Sequence, residues 1–192
     1  MEAGKPSSAA ASRGQQHEIM WNRLVAQLTV LKILAIACTA SAICVMVTSN
    51  QNVLVYGIPF SARFTYSTAF KFLVAANGIV CGFSVVSLFF ILPQLGKSSS
   101  SAAHPPLNLF YLLLHEMVMM GLMTAACGAA TAIGLVGYDG IEEIGWMSFC
   151  ENVPNFCHKM LASVVLSYMV LCTYLALTFV CASKLAASSS PH

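Results

Sequence analysis

Apolar residues gather in four long stretches, at about residues 24–48, 70–92, 107–136 and 160–182. Each exceeds the ~20 residues needed to cross ~30 Å of hydrocarbon as a helix. Helices are required, because a lipid-exposed strand would leave backbone groups unpaired in the membrane. The third stretch is the longest and is expected to tilt or to project beyond the bilayer. Between the second and third stretches lies Gly96-Lys97-Ser98-Ser99-Ser100-Ser101, then Pro105-Pro106. This reads as a flexible linker bracketed by Pro93 and the proline pair as helix stops. Residues 1–20 are rich in Ala, Ser, Gly and Gln and read as a disordered tail. The pattern therefore predicts an all-α fold, a bundle of four transmembrane helices with short outer loops. Residues 1–23 form a tail, 24–183 one membrane domain, and 184–192 a second short tail.

Composition agrees. Only 8% of residues are charged and 58% are hydrophobic, against about a quarter charged in a soluble domain. A net charge of +2 is too small to suggest a nucleic-acid partner. The first apolar run is too long for a signal-peptide core, so it is expected to act as an uncleaved anchor. No acceptor sequon for N-glycosylation occurs. With the N-terminus inside, the cytoplasmic flanks hold Lys5, Arg13, Arg23, Lys97 and Lys184, against Arg63, Lys71 and Lys159 outside. That bias points to both termini in the cytoplasm.

Two ionisable residues stand inside the spans. Lys32 lies eight residues past Leu24, and Glu116 nine past Leu107. At ~1.5 Å per residue these are depths of roughly 12 and 13 Å from the same face. Opposite charges at matched depth can pair, and an unpaired charge there would be costly. This predicts the first and third helices side by side, joined by a structural Lys32–Glu116 ion pair. The other readings are a proton or ion relay, and snorkelling of Lys32 to the interface. His115 adjoins Glu116, but consecutive helix residues point ~100° apart and need not share a face. Asn77 adds polarity in the second span.

Small residues recur at every fourth position: Gly78 and Gly82, with Ala75 nearby; Gly121, Ala125 and Ala129; Thr124, Gly128 and Ala132; Ser163 and Ser167. Such rows let helix backbones approach closely, either within one bundle or between protomers. Met117, Met119, Met120 and Met123 crowd the third span; thioethers can bind Cu(I), but core filling is the favoured reading. No metal site and no cofactor are expected. Of eight cysteines, six lie in the spans, where Cys mostly behaves as a small hydrophobe. Cys181, near the cytoplasmic end, is a candidate for palmitoylation. Cys150 and Cys157 fall in the oxidising outer second loop around Pro154; they form a disulfide or remain free thiols. That loop also holds Gly145-Trp146, where the Trp suits the interface belt. The outer first loop, with Tyr56, Phe60, Phe64 and Tyr66, is expected to lie on the membrane surface or pack on the second loop. No phosphate loop, nucleophile elbow or paired Cys-x-x-Cys points to an enzyme.

The runs Leu31-Lys32-Ile33-Leu34 through Val45-Met46-Val47-Thr48-Ser49-Asn50-Gln51 and Phe70-Lys71-Phe72-Leu73-Val74-Ala75-Ala76-Asn77 resemble plant CASP-like proteins, named for the Casparian strip membrane domain proteins. His115-Glu116-Met117-Val118-Met119-Met120, Cys127 to Gly134, Gly145-Trp146, Cys150, Phe156-Cys157 and Ser163 to Tyr168 extend the likeness over about residues 24–183. The resemblance implies a four-span plasma-membrane scaffold with cytoplasmic termini, distantly similar to MARVEL-domain proteins. It also implies homodimers and heterodimers with related four-span proteins, and platforms that guide cell-wall modification with wall-modifying partners. The family typically carries Arg in span one and Asp in span three; Lys32 and Glu116 keep the charge signs, though Lys is a poorer bidentate partner. Residues 52–69 contain no Asp or Glu, unlike the acidic, aromatic signature of true Casparian strip members. The competing class is a proton, ion or metal transporter or channel built on the buried Lys32 and Glu116. Claudin-like and tetraspanin-like readings rank low because both outer connections are short.

Overall fold

In the computed structural model, the described residues are 8–55, 58–92, 105–140, 148 and 150–189. The Gly96–Ser101 linker, Tyr56 and Gly145-Trp146 lie outside them, as does the side chain of Phe60. Four helices carry the fold: α1 (Ser8–Val47), α2 (Thr68–Ile91), α3 (Pro105–Asp139) and α4 (Pro154–Ser189). All four contain segments long and apolar enough to span a membrane. A two-stranded antiparallel hairpin, β1 (Asn50–Val55) and β2 (Ile58–Arg63), joins α1 to α2 through a 3-10 turn at Phe64–Tyr66.

Three features depart from the sequence reading. Helix α1 begins at Ser8 rather than near residue 24, so most of the expected disordered tail is helical. Ala, Gln, Glu, Met and Arg dominate that segment, and all are good helix formers. Helix α4 begins at Pro154, where proline suits the first helical position. Its opening turn mixes exposed Asn155, His158 and Lys159 with buried Phe156, which dilutes the apolar signal. The connection between α1 and α2, expected as a loop lying on the membrane surface or packing on the second loop, contains the hairpin.

The buried positions explain how the bundle closes. On α2 a stripe of them runs through residues 70, 73, 77, 80 and 84, with Ala76 beside it, and on α4 through 156, 160, 163, 167, 170, 174, 177 and 181, with Val164 and Thr173 beside it and Val153 just before the helix. On α3, residues 116, 119, 123, 126 and 130 follow the same alternation of three and four, and α1 keeps it from Leu28 to Met46. This is the 3.5-residue repeat of left-handed helix packing. Large apolar side chains such as Phe83, Phe89, Phe90, Leu135, Leu175 and Phe179 point outward, where lipid accepts them. Met119 and Met123 sit inward as core filling.

Helices α1 and α3 each pack along α2 and α4, so α1 and α3 occupy opposite corners. The expected side-by-side placement is therefore corrected. Neighbouring helix axes ~8–10 Å apart put diagonal axes roughly 11–14 Å apart. Short side chains cannot bridge that gap, but an extended lysine and a glutamate can.

At the hairpin end the connections are tied to the bundle. The Phe156 N–H, in the first turn of α4, donates to Gln51 Oε1 at 3.0 Å. Lys159 Nζ donates to the Thr48 carbonyl at 3.3 Å, and the rings of Phe70 and Phe156 meet edge to face at 6.4 Å. The first connection thus packs against the start of α4. Gly140 ends α3 with a φ of 71°, and its N–H bonds the Val136 carbonyl, a left-handed cap that glycine adopts without strain. Cys150 N–H returns to the Gly137 carbonyl at 3.1 Å.

Candidate functional site: a buried ionic layer joining four helices

Each helix contributes to one buried polar layer. Lys32 from α1 and Glu116 from α3 meet across the bundle, with Nζ 2.7 Å from Oε1 and 2.9 Å from Oε2. Both side chains are about 1% exposed. The other diagonal is closed by Ser84 of α2 and Tyr174 of α4, whose hydroxyls are 2.6 Å apart. Ser84 Oγ donates to the Val80 carbonyl at 2.7 Å. Its proton is thereby committed, which makes the Tyr174 hydroxyl the donor between them. The diagonals touch where Lys32 Nζ sits 4.8 Å from the centroid of the Tyr174 ring, within cation–π range.

The ammonium is thus held by a carboxylate and a ring face in a site with little water access. Taking both charges from water is expensive, and the pair repays this only with close geometry and further hydrogen bonds. His115 supplies one. Its Nδ1 lies 3.3 Å from Glu116 Oε1, and its ring packs at 5.9 Å from Phe83. Helix spacing did not require these neighbours to share a face; the imidazole turns back to the carboxylate while keeping about a quarter of its side chain exposed.

A second polar layer lies nearer the hairpin. Asn77 Nδ2 donates to Ser167 Oγ at 2.9 Å and to the Leu73 carbonyl. Ser167 Oγ donates to the Ser163 carbonyl, and Ser163 Oγ to the Ala42 carbonyl. The Ser163/Ser167 row therefore packs within the bundle. The glycine rows do not. Gly78, Gly82, Gly121 and Gly128 face outward, and a Cβ added at any of them would meet nothing within 4 Å. Ala125 and Ala132 are exposed as well.

Cys150 and Cys157 are joined in a disulfide with Cα atoms 5.7 Å apart. Cys181 is fully buried, so a lipid chain could not be attached there without opening the bundle; the palmitoylation reading is withdrawn. Among the described residues, no group of three or more His, Cys, Asp or Glu could hold a metal ion.

The sequence pattern did not single out Ser84, Tyr174 or Gln51, and it marked Ser167 only as a small residue in a packing row. Three of them had a signal. Asn77 and Ser84 are seven residues apart, as are Lys32 and Thr39, and Ser167 and Tyr174. Seven residues are two turns of a packed helix, so each pair shares the inward stripe.

With this geometry established, comparison with known proteins is decisive. The Casparian strip membrane protein domain matches residues 22–173. The chain belongs to the CASP-like family of plant membrane proteins. CASP-like protein 1F2 of Ricinus communis is 48% identical over 161 residues, covering 84% of this chain and 78% of the relative. CASP-like protein 1F2 of Vitis vinifera is 40% identical over 186 residues, covering 96% and 94%. CASP-like protein 1F1 of Ricinus communis is 42% identical over 154 residues, covering 80% and 83%. No solved structure matches the chain. Within this CASP-like protein, the ionic layer, the Asn77–Ser167–Ser163 layer and the tied hairpin end carry defined polar geometry.

Proposed function

We propose that this CASP-like protein is a non-catalytic plasma-membrane scaffold with both termini in the cytoplasm and the hairpin outside. It self-associates, pairs with related four-span proteins, organises membrane domains and recruits proteins that modify the cell wall locally. The observation that carries this reading is the outward placement of Gly78, Gly82, Gly121 and Gly128. Each costs a helix about 1 kcal/mol relative to alanine, and none is needed for packing inside the protomer. Close approach of another helix is what such positions permit. The Lys32–Glu116 pair serves this scaffold by fixing which helices face each other.

The test is a Gly78→Leu/Gly82→Leu variant, with Gly121→Leu/Gly128→Leu as its counterpart on α3. Folding and surface delivery should persist, while energy transfer between tagged copies falls at least several-fold. Photobleaching of a C-terminal fluorescent fusion should show slow recovery for wild type and fast recovery for the variants. Unchanged association in both variants would remove these helix faces as the contact.

A second reading, a proton, ion or metal transporter, is supported by one contact. The half-buried His115 links Glu116 to the bundle surface. A Lys32→Ala/Glu116→Ala variant that folds and localises normally but loses ion flux would favour it over the scaffold.

A further inference from the structure

A two-stranded sheet standing alone is marginally stable in water, and this one has two edges of different character. The register runs from Asn50 paired with Arg63 to Val55 paired with Ile58, with two residues of chain between the strands. In a hairpin closed by two residues, the pair flanking the turn exchanges hydrogen bonds, and the pattern then alternates. The backbone groups of Asn50, Asn52 and Leu54 therefore point away from β2, and those of Pro59, Ser61 and Arg63 away from β1. The β2 edge is guarded. Pro59 has no N–H to offer, and Arg63 places a charge there, both devices that discourage strand addition. The β1 edge carries neither. Asn50 N–H is already bonded to the Thr48 carbonyl. Among the described residues, no other backbone bond reaches that edge. Nor does α4 cover it. Gln51 reaches Phe156 with its side chain, and side chains stand off the face of a sheet, so α4 begins under a face rather than beside the edge.

We propose that the β1 edge is a self-pairing surface, taking the β1 strand of a second copy in an antiparallel four-stranded sheet across the two protomers. The occupant is argued from placement. Every copy is held in the membrane by the same four helices, so identical edges meet at the same height. An isologous contact about a two-fold axis along the membrane normal brings antiparallel β1 strands together. Centred on Asn52, the pairing lets the two Asn52 residues exchange N–H···O=C bonds. Each Leu54 N–H then reaches the Asn50 carbonyl of the other copy. This register leaves Asn50 N–H on Thr48, where it already is. No acidic or basic residue lies between Asn50 and Ala62, so no like charges oppose the pairing. The inference does not depend on the glycine faces. If those faces also associate, as the scaffold reading holds, two separate self-complementary contacts on one protomer would propagate into rows rather than stop at dimers.

The experiment uses the full-length chain in native membranes. Asn52→Cys is oxidised with copper(II) phenanthroline and compared with wild type, which sets the background from the native cysteines, and with Ser61→Cys on the guarded edge. Residues exchanging hydrogen bonds across antiparallel strands have Cα atoms ~5.5 Å apart, inside the ~4.4–6.8 Å that a disulfide spans. The expected result is a reducible dimer at Asn52→Cys several-fold above wild type, with Ser61→Cys at background. Equal cross-linking at both positions, or background at Asn52→Cys with normal surface delivery, overturns the proposal. If Asn52→Cys fails to reach the membrane, Asn52→Pro serves instead, because it removes an N–H that β2 does not use. Its mean assembly size from photobleaching steps should fall about twofold; no change overturns the proposal. In the Gly78→Leu/Gly82→Leu background the Asn52→Cys dimer should persist. Its loss there overturns an independent edge contact, whereas lost association of the glycine variant alone concerns only the helix-face reading.

Discussion

Removing one member of the Lys32–Glu116 pair leaves a charge at a site about 1% exposed. Breaking a buried pair in this way costs about 3–5 kcal/mol. The lower end applies here, since helices unfolded from one another but still in the membrane also find polar partners. About 3 kcal/mol is a shift of roughly a hundredfold in the unfolding equilibrium. The two single variants should not be equal. Lys32→Met leaves Glu116 with His115 Nδ1 at 3.3 Å, a group that can donate to it. Among the described residues, Glu116→Leu leaves Lys32 with the Tyr174 ring at 4.8 Å, a contact that offers about 2 kcal/mol when desolvated. Glu116→Leu is therefore expected to be the more damaging. The double variant Lys32→Met/Glu116→Leu replaces the pair with apolar side chains of similar length, a change that is often neutral or stabilising by about 1–4 kcal/mol. Additivity would instead put it at about 6–10 kcal/mol of destabilisation, twice the single-site cost. The assay is reversible unfolding in mixed micelles with rising detergent denaturant, read by tryptophan fluorescence, alongside surface delivery in cells. A double variant no more stable than the worse single one would refute the reasoning, as would single variants within about 0.5 kcal/mol of wild type, the range of an unremarkable surface change.

Other expectations follow from the same geometry. Tyr174→Phe keeps the ring over Lys32 but loses the bond to Ser84, and should cost about 0.5–1.5 kcal/mol in the same unfolding assay; Tyr174→Leu should cost more. Cys150→Ser releases a link spanning seven residues, worth about 2.5 kcal/mol on chain entropy; the loss should appear as earlier proteolysis between α3 and α4, and reductant should reproduce it in wild type alone. Gln51→Ala removes the acceptor for Phe156 N–H and should cost about 0.5–2 kcal/mol, with faster amide exchange at the start of α4.

Much of this protein was legible from the chain. Hydrocarbon about 30 Å thick demands long apolar helices, so the spans declare themselves in sequence, and so does the anomaly of a single Lys32 and a single Glu116 within them. Their contact followed from depth alone. The pairing of Cys150 with Cys157 followed as an option from their spacing in a short loop. Hydropathy was silent on the rest, because lipid and bundle interior are equally apolar and a buried leucine looks like an exposed one. What separates the faces is the placement of small and polar side chains, with Lys32, Asn77, Ser84, Ser167 and Tyr174 turned inward and Gly78 and Gly82 turned outward. Only the assembled bundle shows that α1 and α3 stand at opposite corners, because depth measures position along an axis and carries no information about which axes are neighbours. Only the bundle brings Tyr174 and Ser84 to the second diagonal, turns His115 back to Glu116, and sets Gln51 against the start of α4. Each of these contacts joins residues distant in the chain or depends on a rotamer, and neither is written in the spacing of residues along one helix.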